Sequence, residues 1–204
     1  MTTTYYLMRH GKTVWNQEHR MQGSKNSPLT SEGIAQAEAL CDRLNTIHFD
    51  EVIVSTSPRA QETAAIVFPQ HQPQLEAGLR EIEMGVWEGE LHENVARKYP
   101  QAWHHFHHDP LKFIPVGSGE QFKDVHNRIV PVLDSLAETY SGKTIAIVSH
   151  GITLKIITNY LLGYSFDHIH LQDAFDSTSL TKIEITNGQA TLCFRNDISH
   201  YQRK

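Results

Sequence analysis

The sequence predicts an α/β fold, and in particular a three-layer α/β/α sandwich around a mostly parallel sheet. Short apolar runs alternate along the chain with longer segments of helical periodicity, and this alternation is typical of βαβ units. Near the C-terminus, two further apolar runs flank Asn187-Gly188, which is a strong signal for a hairpin turn. The hairpin would add an antiparallel edge strand. We expect residues 1–204 to form a single domain, since this length is ordinary for one.

Each predicted strand is a short β-prone run that ends at a polar residue or a turn. The parallel strands are predicted at residues 4–8, 51–55, 74–76 and 144–149, and the hairpin strands at 180–185 and 190–194. The run at 144–149 is the clearest buried strand, because nearly all of its residues are apolar.

Five helices are predicted between these strands, over residues 33–47, 58–68, 91–99, part of 119–140 and 152–162. Thr30 or Ser31 can cap the first helix. Its apolar residues recur at helical spacing, at Ala35, Ala39, Leu40 and Leu44. Pro58 suits the first turn of the second helix. Pro131 is expected to kink or divide the long helix, because proline lacks the N–H that a helix interior requires.

Residues 87–118, approximately, are less regular and predict a lid or a small subdomain. They contain the run Trp103-His104-His105-Phe106-His107-His108. His104 and His108 could share a helix face and bind a metal ion. Because only Asp109 offers an acidic partner, a solvated lid segment is favoured over a zinc site.

Composition excludes several classes of protein. The formal net charge of -5 argues against a general nucleic-acid surface. The two cysteines, Cys41 and Cys193, have no metal or redox spacing. No secretory signal and no apolar run of membrane-spanning length is evident. We therefore expect a cytoplasmic protein without membrane or nucleic-acid partners.

Basic residues follow three of the predicted strands. The first strand is followed by Arg9 and His10, the second by Arg59, and the strand at 144–149 by His150. In open α/β sheets, ligands bind beyond the carboxyl ends of the strands, so these side chains should meet at one rim. A further segment brings Glu81 after another predicted strand.

This combination of residues suits a phosphate ester. Arginine binds phosphate in a bidentate manner, and a neutral imidazole can attack phosphorus to form a covalent intermediate. A carboxylic acid can protonate the departing oxygen and later deprotonate water. No Walker loop, dinucleotide fingerprint or Asp-rich cluster is present, so we expect no cofactor and no metal ion.

The motifs that contain these residues resemble those of the histidine phosphatase superfamily, which has the phosphoglycerate-mutase-like fold. The matching stretches occur in the family's order over most of the chain, at residues 7–16, 20–23, 28–33, 55–64, 79–89 and 149–151. A single Arg-His-Gly tripeptide would be weak evidence, but an ordered set is specific.

The resemblance implies a role for each matching residue. His10 would become the phosphohistidine, and Glu81 would act as the general acid and then as the base. Arg9, Arg59 and His150 would hold the phosphoryl oxygens. The further phosphate or substrate contacts would come from Thr13, Asn16, Gln22, Gly23 and Gly151.

Residues 82–89 are similar to those of the broad-specificity phosphatase branch, so the resemblance implies hydrolysis of small phosphomonoesters. The chain departs from many relatives at Lys12, where Glu is usual, and at Gln121, where Ser is common. Two alternatives stay open: a cofactor-dependent phosphoglycerate mutase and a non-catalytic module that binds phosphorylated ligands.

Several points stay open at the level of sequence. Glu83 competes with Glu81 for the role of the acid, because both follow the same predicted strand. Trp87, Trp103, Phe106 and Phe113 could line the mouth and favour aromatic esters, or they could be plain packing. The partner is expected to be a small phosphorylated metabolite of unknown identity. An exposed edge strand could pair two copies into a homodimer. The mechanism needs a neutral His10 and a protonated Glu81, so an acidic to neutral pH optimum is expected.

Overall fold

A six-stranded sheet forms the centre of the molecule, with the strand order β3-β2-β4-β1-β5-β6. The structure is a computed structural model that describes residues 1–201. The strands are β1 (Thr2–Arg9), β2 (Glu51–Ser55), β3 (Gln74–Glu76), β4 (Thr144–Ser149), β5 (Leu180–Thr186) and β6 (Gln189–Asp197). The first four strands in this order pair in parallel, and the C-terminal hairpin adds the antiparallel pairs. The predicted fold class is confirmed.

Seven α-helices connect and cover the strands in the described residues. They are α1 (Val14–Gln17), α2 (Ser31–Leu44), α3 (Pro58–Val67), α4 (His92–Lys98), α5 (Pro100–His108), α6 (Phe122–Thr139) and α7 (Gly151–Leu161). None of these helices is long and apolar enough to cross a membrane.

Side chains of the central strands alternate between two apolar cores, which makes the architecture three-layered. Ile145 and Ile147 of β4 pack in one core with residues of α6 and α7. Ala146 and Val148 face the other core, with residues of α2 and α3. Successive side chains of a strand point to opposite faces, so this nearly continuous apolar strand is buried on both sides.

Two expectations for the helices differ from the structure. Helix α2 ends at Leu44 instead of residue 47, and Ala35 is exposed while Gln36 and Ala37 are buried. Helix α6 continues through Pro131 and is not divided, while a kink at this residue stays a prediction. A proline removes one backbone hydrogen bond, and the buried residues Ile129 and Leu133 on either side of it keep the helix packed on the core.

The segment predicted as a lid contains α4 and α5, so the histidine-rich run is helical. Its apolar residues Val95, Phe106 and Phe113 belong to the same core as β1 and β4. The segment is therefore a cover that packs directly on the main core. Its role as a lid stays a prediction.

The register of the sheet decides which residues meet at the rim. Arg9 pairs with Ser149 at the ends of β1 and β4, and the backbone N–H of His10 donates to the Ser149 carbonyl over 3.0 Å. Val54 of β2 pairs with Val148. The residues that follow β1, β2 and β4 therefore share one edge of the sheet.

Candidate active site

A cavity of about 360 Å³ lies beyond the carboxyl ends of these strands. Its walls include Arg9 at the end of β1, His10 just after it, Arg59 at the start of α3, Glu81, and Gly151 at the start of α7. The structure thus brings together side chains that lie far apart in the sequence, as the strand order predicts.

His10 is 3% exposed, and its hydrogen bonds define its tautomer. Its Nδ1 lies 2.8 Å from the Gly11 carbonyl oxygen, which can only accept, so Nδ1 carries the proton. Arg59 Nε donates to Nε2 over 3.2 Å, so Nε2 holds the lone pair. Burial, followed by the charges of Arg59 and Arg9, holds the pKa of His10 well below its usual value. The imidazole is neutral and can act as a nucleophile at Nε2.

Arg59 is almost fully buried and is held by the loop after α1. Its Nη1 and Nη2 donate to the carbonyl groups of Lys25 and Gly23, both over 2.8 Å. Burial lowers the pKa of Arg59 to about 10, against the attraction of Glu81, so the guanidinium stays charged at neutral pH. The loop fixes the direction in which this charge faces the cavity.

Arg9 presents a second guanidinium from the end of β1. Its Nη1 donates to the Phe175 carbonyl over 2.7 Å, while its Nε is buried with no partner. A buried donor without a partner is costly, so this N–H is available for an oxygen of a bound ligand.

His150 is fully buried and is not among the residues that line the cavity, but its ring centroid is 5.2 Å from that of His10. It occupies the N-cap position of α7, but its side chain makes no capping bond. Its Nε2 lies 2.8 Å from Ser55 Oγ, and its Nδ1 is buried without a partner. Burial, with Arg59, keeps the pKa of His150 well below its usual value. The side chain is oriented by Ser55 instead of serving the helix.

Glu81 is buried and lines the cavity, whereas Glu83 is exposed and lies outside it. The Glu81 carboxylate accepts from the backbone N–H groups of Ile82, Ile152 and Thr153, at 3.0, 3.1 and 3.2 Å. These bonds fix both of its oxygens. Of the two candidate acids, the geometry selects Glu81.

Gly151 has no side chain and lies in the wall of the cavity beside Glu81 and Arg9. A Cβ at this position would lie 3.6 Å from Glu81 Oε2 and 3.9 Å from Arg9 Nε. Gly151 therefore lies beside both the candidate acid and a candidate phosphate-binding guanidinium.

Gln22 and Asn16 line the cavity as expected, but Thr13 does not. Thr13 is buried behind them; its Oγ1 donates to Gln22 Oε1 over 3.0 Å and accepts from the Asn16 N–H. This bond turns the Gln22 amide so that Nε2, which is buried and has no partner, stays free to donate. Thr13 therefore acts by orienting Gln22.

Sequence reasoning missed Glu88, a buried carboxylate that joins two loops. Its oxygens accept from the backbone N–H groups of Ser24, Lys25 and Met84. A Cβ at Gly23 would lie 2.2 Å from Glu88 Oε1, so only glycine leaves room for this contact. Glu88 thus fixes the loop whose carbonyl groups hold Arg59. In the sequence, Glu88 is one residue of the motif at 82–89, and nothing in that motif distinguishes it from its neighbours.

A second missed residue, Arg128 on α6, supports Glu81. Arg128 donates to the carbonyl groups of Gly78 and Glu81 and forms an ion pair with Glu120 over 2.8 Å. It therefore fixes the backbone that carries the acid. Nothing in the helical periodicity of α6 distinguishes it from a surface arginine.

Comparison with known proteins assigns the family. The model of the histidine phosphatase superfamily (branch 1) matches residues 5–198. The chain belongs to this superfamily.

Individual relatives include both phosphatases and mutases. The chain is 34% identical over 162 residues to the probable phosphoglycerate mutase GpmB of Klebsiella pneumoniae, covering 78% of this chain and 74% of that protein. Among solved structures, YhfR of Bacillus stearothermophilus is similar with a TM-score of 0.89 and 38% identity, covering 97% of this chain and 98% of that one. A putative alpha-ribazole-5'-P phosphatase from Escherichia coli has a TM-score of 0.86 and 29% identity, covering 96% and 97%.

The aromatic residues of this superfamily member divide between cavity and core. Phe106 lines the cavity, as does the neighbouring His107. Trp87 and Phe113 are fully buried in the core instead, and Trp103 packs against them from outside the cavity. Within residues 1–201, no group of three His, Cys, Asp or Glu side chains could hold a metal ion.

Proposed function

We propose that this chain is a metal-independent phosphatase that hydrolyses small phosphomonoesters through a phosphohistidine on His10. The observation that carries the proposal is the unprotonated Nε2 of His10, which lies in the cavity beside two guanidinium groups. A neutral imidazole is the form that attacks phosphorus, and the guanidinium groups offset the charge of the phosphoryl group.

In the first step, His10 Nε2 forms a bond to phosphorus while the bond from phosphorus to the ester oxygen breaks. A protonated Glu81 gives its proton to that oxygen, which leaves as an alcohol. Arg9 Nε and His150 Nδ1 have no partner in the described residues and would donate to the other phosphoryl oxygens, His150 in the tautomer that carries its proton on Nδ1. Arg59 would add the second N–H group of each terminal nitrogen. Gln22 Nε2 adds a further donor.

In the second step, the Glu81 carboxylate takes a proton from a water molecule whose oxygen attacks phosphorus. The bond between phosphorus and Nε2 breaks, inorganic phosphate leaves, and His10 returns to its neutral tautomer. The Gly11 carbonyl holds the Nδ1 proton throughout, so the same nitrogen is presented in each cycle.

The similarity of residues 82–89 to the broad-specificity phosphatase branch favours a phosphatase over a mutase. Overlap with solved structures does not separate the two activities, since the chain covers 97% of the E. coli phosphatase and 95% of a phosphoglycerate mutase from Bacillus anthracis. A mutase must also keep water away from the phosphohistidine and hold a bisphosphate. Interconversion of phosphoglycerates faster than their hydrolysis, in the presence of bisphosphoglycerate, would favour the mutase.

The test is hydrolysis of p-nitrophenyl phosphate with and without a metal chelator. We expect activity to survive chelation and to fall by about 10⁴-fold or more in His10→Ala, since removing a nucleophile has effects of this order. His168→Ala is the matched control, because His168 is exposed and lies outside the cavity. Retained activity in His10→Ala would overturn the proposal.

Rapid quenching with substrate should trap an acid-labile phosphohistidine in the wild-type chain and not in His10→Ala. A trapped adduct would also exclude the non-catalytic module. A cytoplasmic location and a homodimer stay predictions.

A further inference from the structure

The cavity extends from the catalytic groups to a region that the proposed reaction does not use. We define the far end of the cavity by four nitrogen-bearing side chains, Lys155 on α7, His92 on α4, His107 on α5 and His170 in the 3-10 segment Phe166–Leu171. Apolar side chains, among them Phe106, Phe122 and Ile169, lie in the walls of the same cavity. The far end is thus basic and bordered by apolar surface.

The position of Lys155 follows from the geometry of α7. It lies four residues after Gly151, so both residues share one face of the helix, about 6 Å apart along its axis. Gly151 adjoins Glu81 and Arg9. The Lys155 side chain therefore begins one helical turn beyond the place where the phosphoryl group would bind.

The positive charge of Lys155 has no anionic partner within residues 1–201. Its Nζ donates to the Gln172 carbonyl over 2.6 Å, and no carboxylate lies within 4.0 Å of it. An ammonium group has three donors, so two remain for a ligand. Glu81 is the only acidic residue in the described lining of the cavity.

The pKa values at the far end indicate which of its groups carries a charge. Burial lowers the pKa of His107 to about 4, with further lowering by His108, His92 and Lys155. Burial, and then the charge of Arg195, lowers the pKa of Lys155, against the attraction of Asp173 and Glu81. Because His107 is neutral at neutral pH, Lys155 supplies the positive charge that would bind an anion here.

We infer that the far end of the cavity binds a carboxylate of the substrate through Lys155, so that the substrates are phosphomonoesters of small hydroxy acids with a largely apolar body. This inference rests on the phosphatase activity proposed above. A volume of about 360 Å³ is near the lower end for ligand pockets and suits a small metabolite. The carboxylate would lie at one end, the phosphoryl group at the other, and the apolar walls between them.

A purely structural role for Lys155 is the competing interpretation. Its bond to the Gln172 carbonyl, with the return bond from Gln172 Nε2 to the Lys155 carbonyl, fastens the chain after the 3-10 segment to α7. If that were its only role, loss of the charge would weaken all ligands alike. The two interpretations therefore differ in selectivity.

The experiment measures binding of two matched phosphonates by calorimetry, since phosphonates are not hydrolysed. The probes are 4-carboxybenzylphosphonate and 4-carbamoylbenzylphosphonate, which have nearly the same shape and differ in one charge. We expect the wild-type chain to prefer the carboxylate by about tenfold or more, the order for a charge-assisted hydrogen bond. Lys155→Met should reduce the preference to below about twofold, and Lys155→Arg should keep most of it.

Two control variants separate charge from structure. Gln172→Ala removes the hydrogen bond from Gln172 Nε2 to the Lys155 carbonyl and keeps the Lys155 charge, so the preference for the carboxylate should persist. Lys143→Met changes the net charge equally, but Lys143 precedes β4 at the opposite end of the strand and pairs with Asp50. It should leave both affinities unchanged.

The inference is overturned if the wild-type chain binds both probes equally or not at all, or if Lys155→Met keeps the preference. Hydrolysis of p-nitrophenyl phosphate, measured in parallel, reports only on the proposed function. A chain that cleaves this ester but ignores the carboxylate would retain the phosphatase proposal and refute the far-end site.

Discussion

The two ends of the cavity are built differently. At the phosphate end, His10, Arg59 and Glu81 are buried, and each is held by hydrogen bonds to backbone groups. At the far end, His107 is partly exposed and comes from the helical cover, whereas His170 comes from the 3-10 segment Phe166–Leu171 and Lys155 from α7. The strand ends fix most of the groups that would perform the reaction, and elements that pack over the cavity supply the groups that would select the substrate. Mutations at the two ends should therefore affect different kinetic constants.

The largest effect is expected at the phosphate end, from the pair Glu81→Gln and Glu83→Gln. Glu81→Gln keeps the size of the side chain and removes proton transfer, so kcat should fall by about 10² to 10⁴-fold. Glu83→Gln should have wild-type activity because Glu83 is exposed and outside the cavity. Steady-state hydrolysis of phenyl phosphate measures both.

A second substrate, p-nitrophenyl phosphate, tests the role of Glu81 as the general acid more specifically, because its leaving group needs less protonation. The loss in Glu81→Gln should be smaller with this ester. Equal losses with both esters, or equal losses in both variants, would contradict the role assigned to Glu81.

The next effect concerns Glu88, which holds the phosphate end together without lining the cavity. Glu88→Ala should lower kcat/KM by about 10²-fold, because the loop that orients Arg59 loses its anchor and small misplacements have effects of this size. Glu88→Gln, which keeps one acceptor oxygen, should restore part of the activity. The affinity for inorganic phosphate should follow the same order. If both variants bind phosphate as the wild type does, Glu88 is not a positioning residue.

The buried histidines of the phosphate end predict how stability depends on pH. The pKa values of His10 and His150 are held well below 6.5, so both stay neutral in the folded chain. Below about pH 6.5 the unfolded chain takes up protons that the folded chain does not, and the free energy of unfolding falls by about 1.4 kcal/mol per pH unit for each histidine. This stability is present above pH 6.5 and is lost as the pH falls.

Urea denaturation at pH 7 and pH 5.5 measures that dependence. His10→Gln should flatten it, while His168→Gln, at an exposed position, should leave it unchanged. An identical pH dependence in His10→Gln would show that His10 is protonated in the folded chain.

The smallest effect is expected at the far end, from Phe106→Leu. Phe106 lines the cavity, so KM for an aryl phosphate should rise about threefold, while inhibition by inorganic phosphate should not change. Phe113→Leu is the matched control, because Phe113 is buried in the same core without lining the cavity. Inhibition by phosphate that weakens in parallel with KM would mean that the two ends are not independent.

Local sequence signals were sufficient to predict the elements whose structure depends mainly on their own residues. The run at 144–149 and the signal at Asn187-Gly188 correspond to β4 and to the turn between β5 and β6. Pro131 does not divide α6, because packing on both sides of it outweighs its local effect, and residues 45–47 lie beyond the end of α2 although they follow its helical pattern.

The sequence by itself determined the α/β class and the set of residues at the strand ends, since strand order along the chain and motif residues are local properties. Only the tertiary structure decided that Glu81 and not Glu83 lines the cavity, that Thr13 orients Gln22, and that Lys155 lines the same cavity. These outcomes depend on backbone donors and carbonyl groups from distant segments. Such hydrogen bonds cannot be recognised from hydrophobic periodicity or composition, because almost every residue has a backbone N–H and a carbonyl group. Only the folded structure determines which of these groups come together.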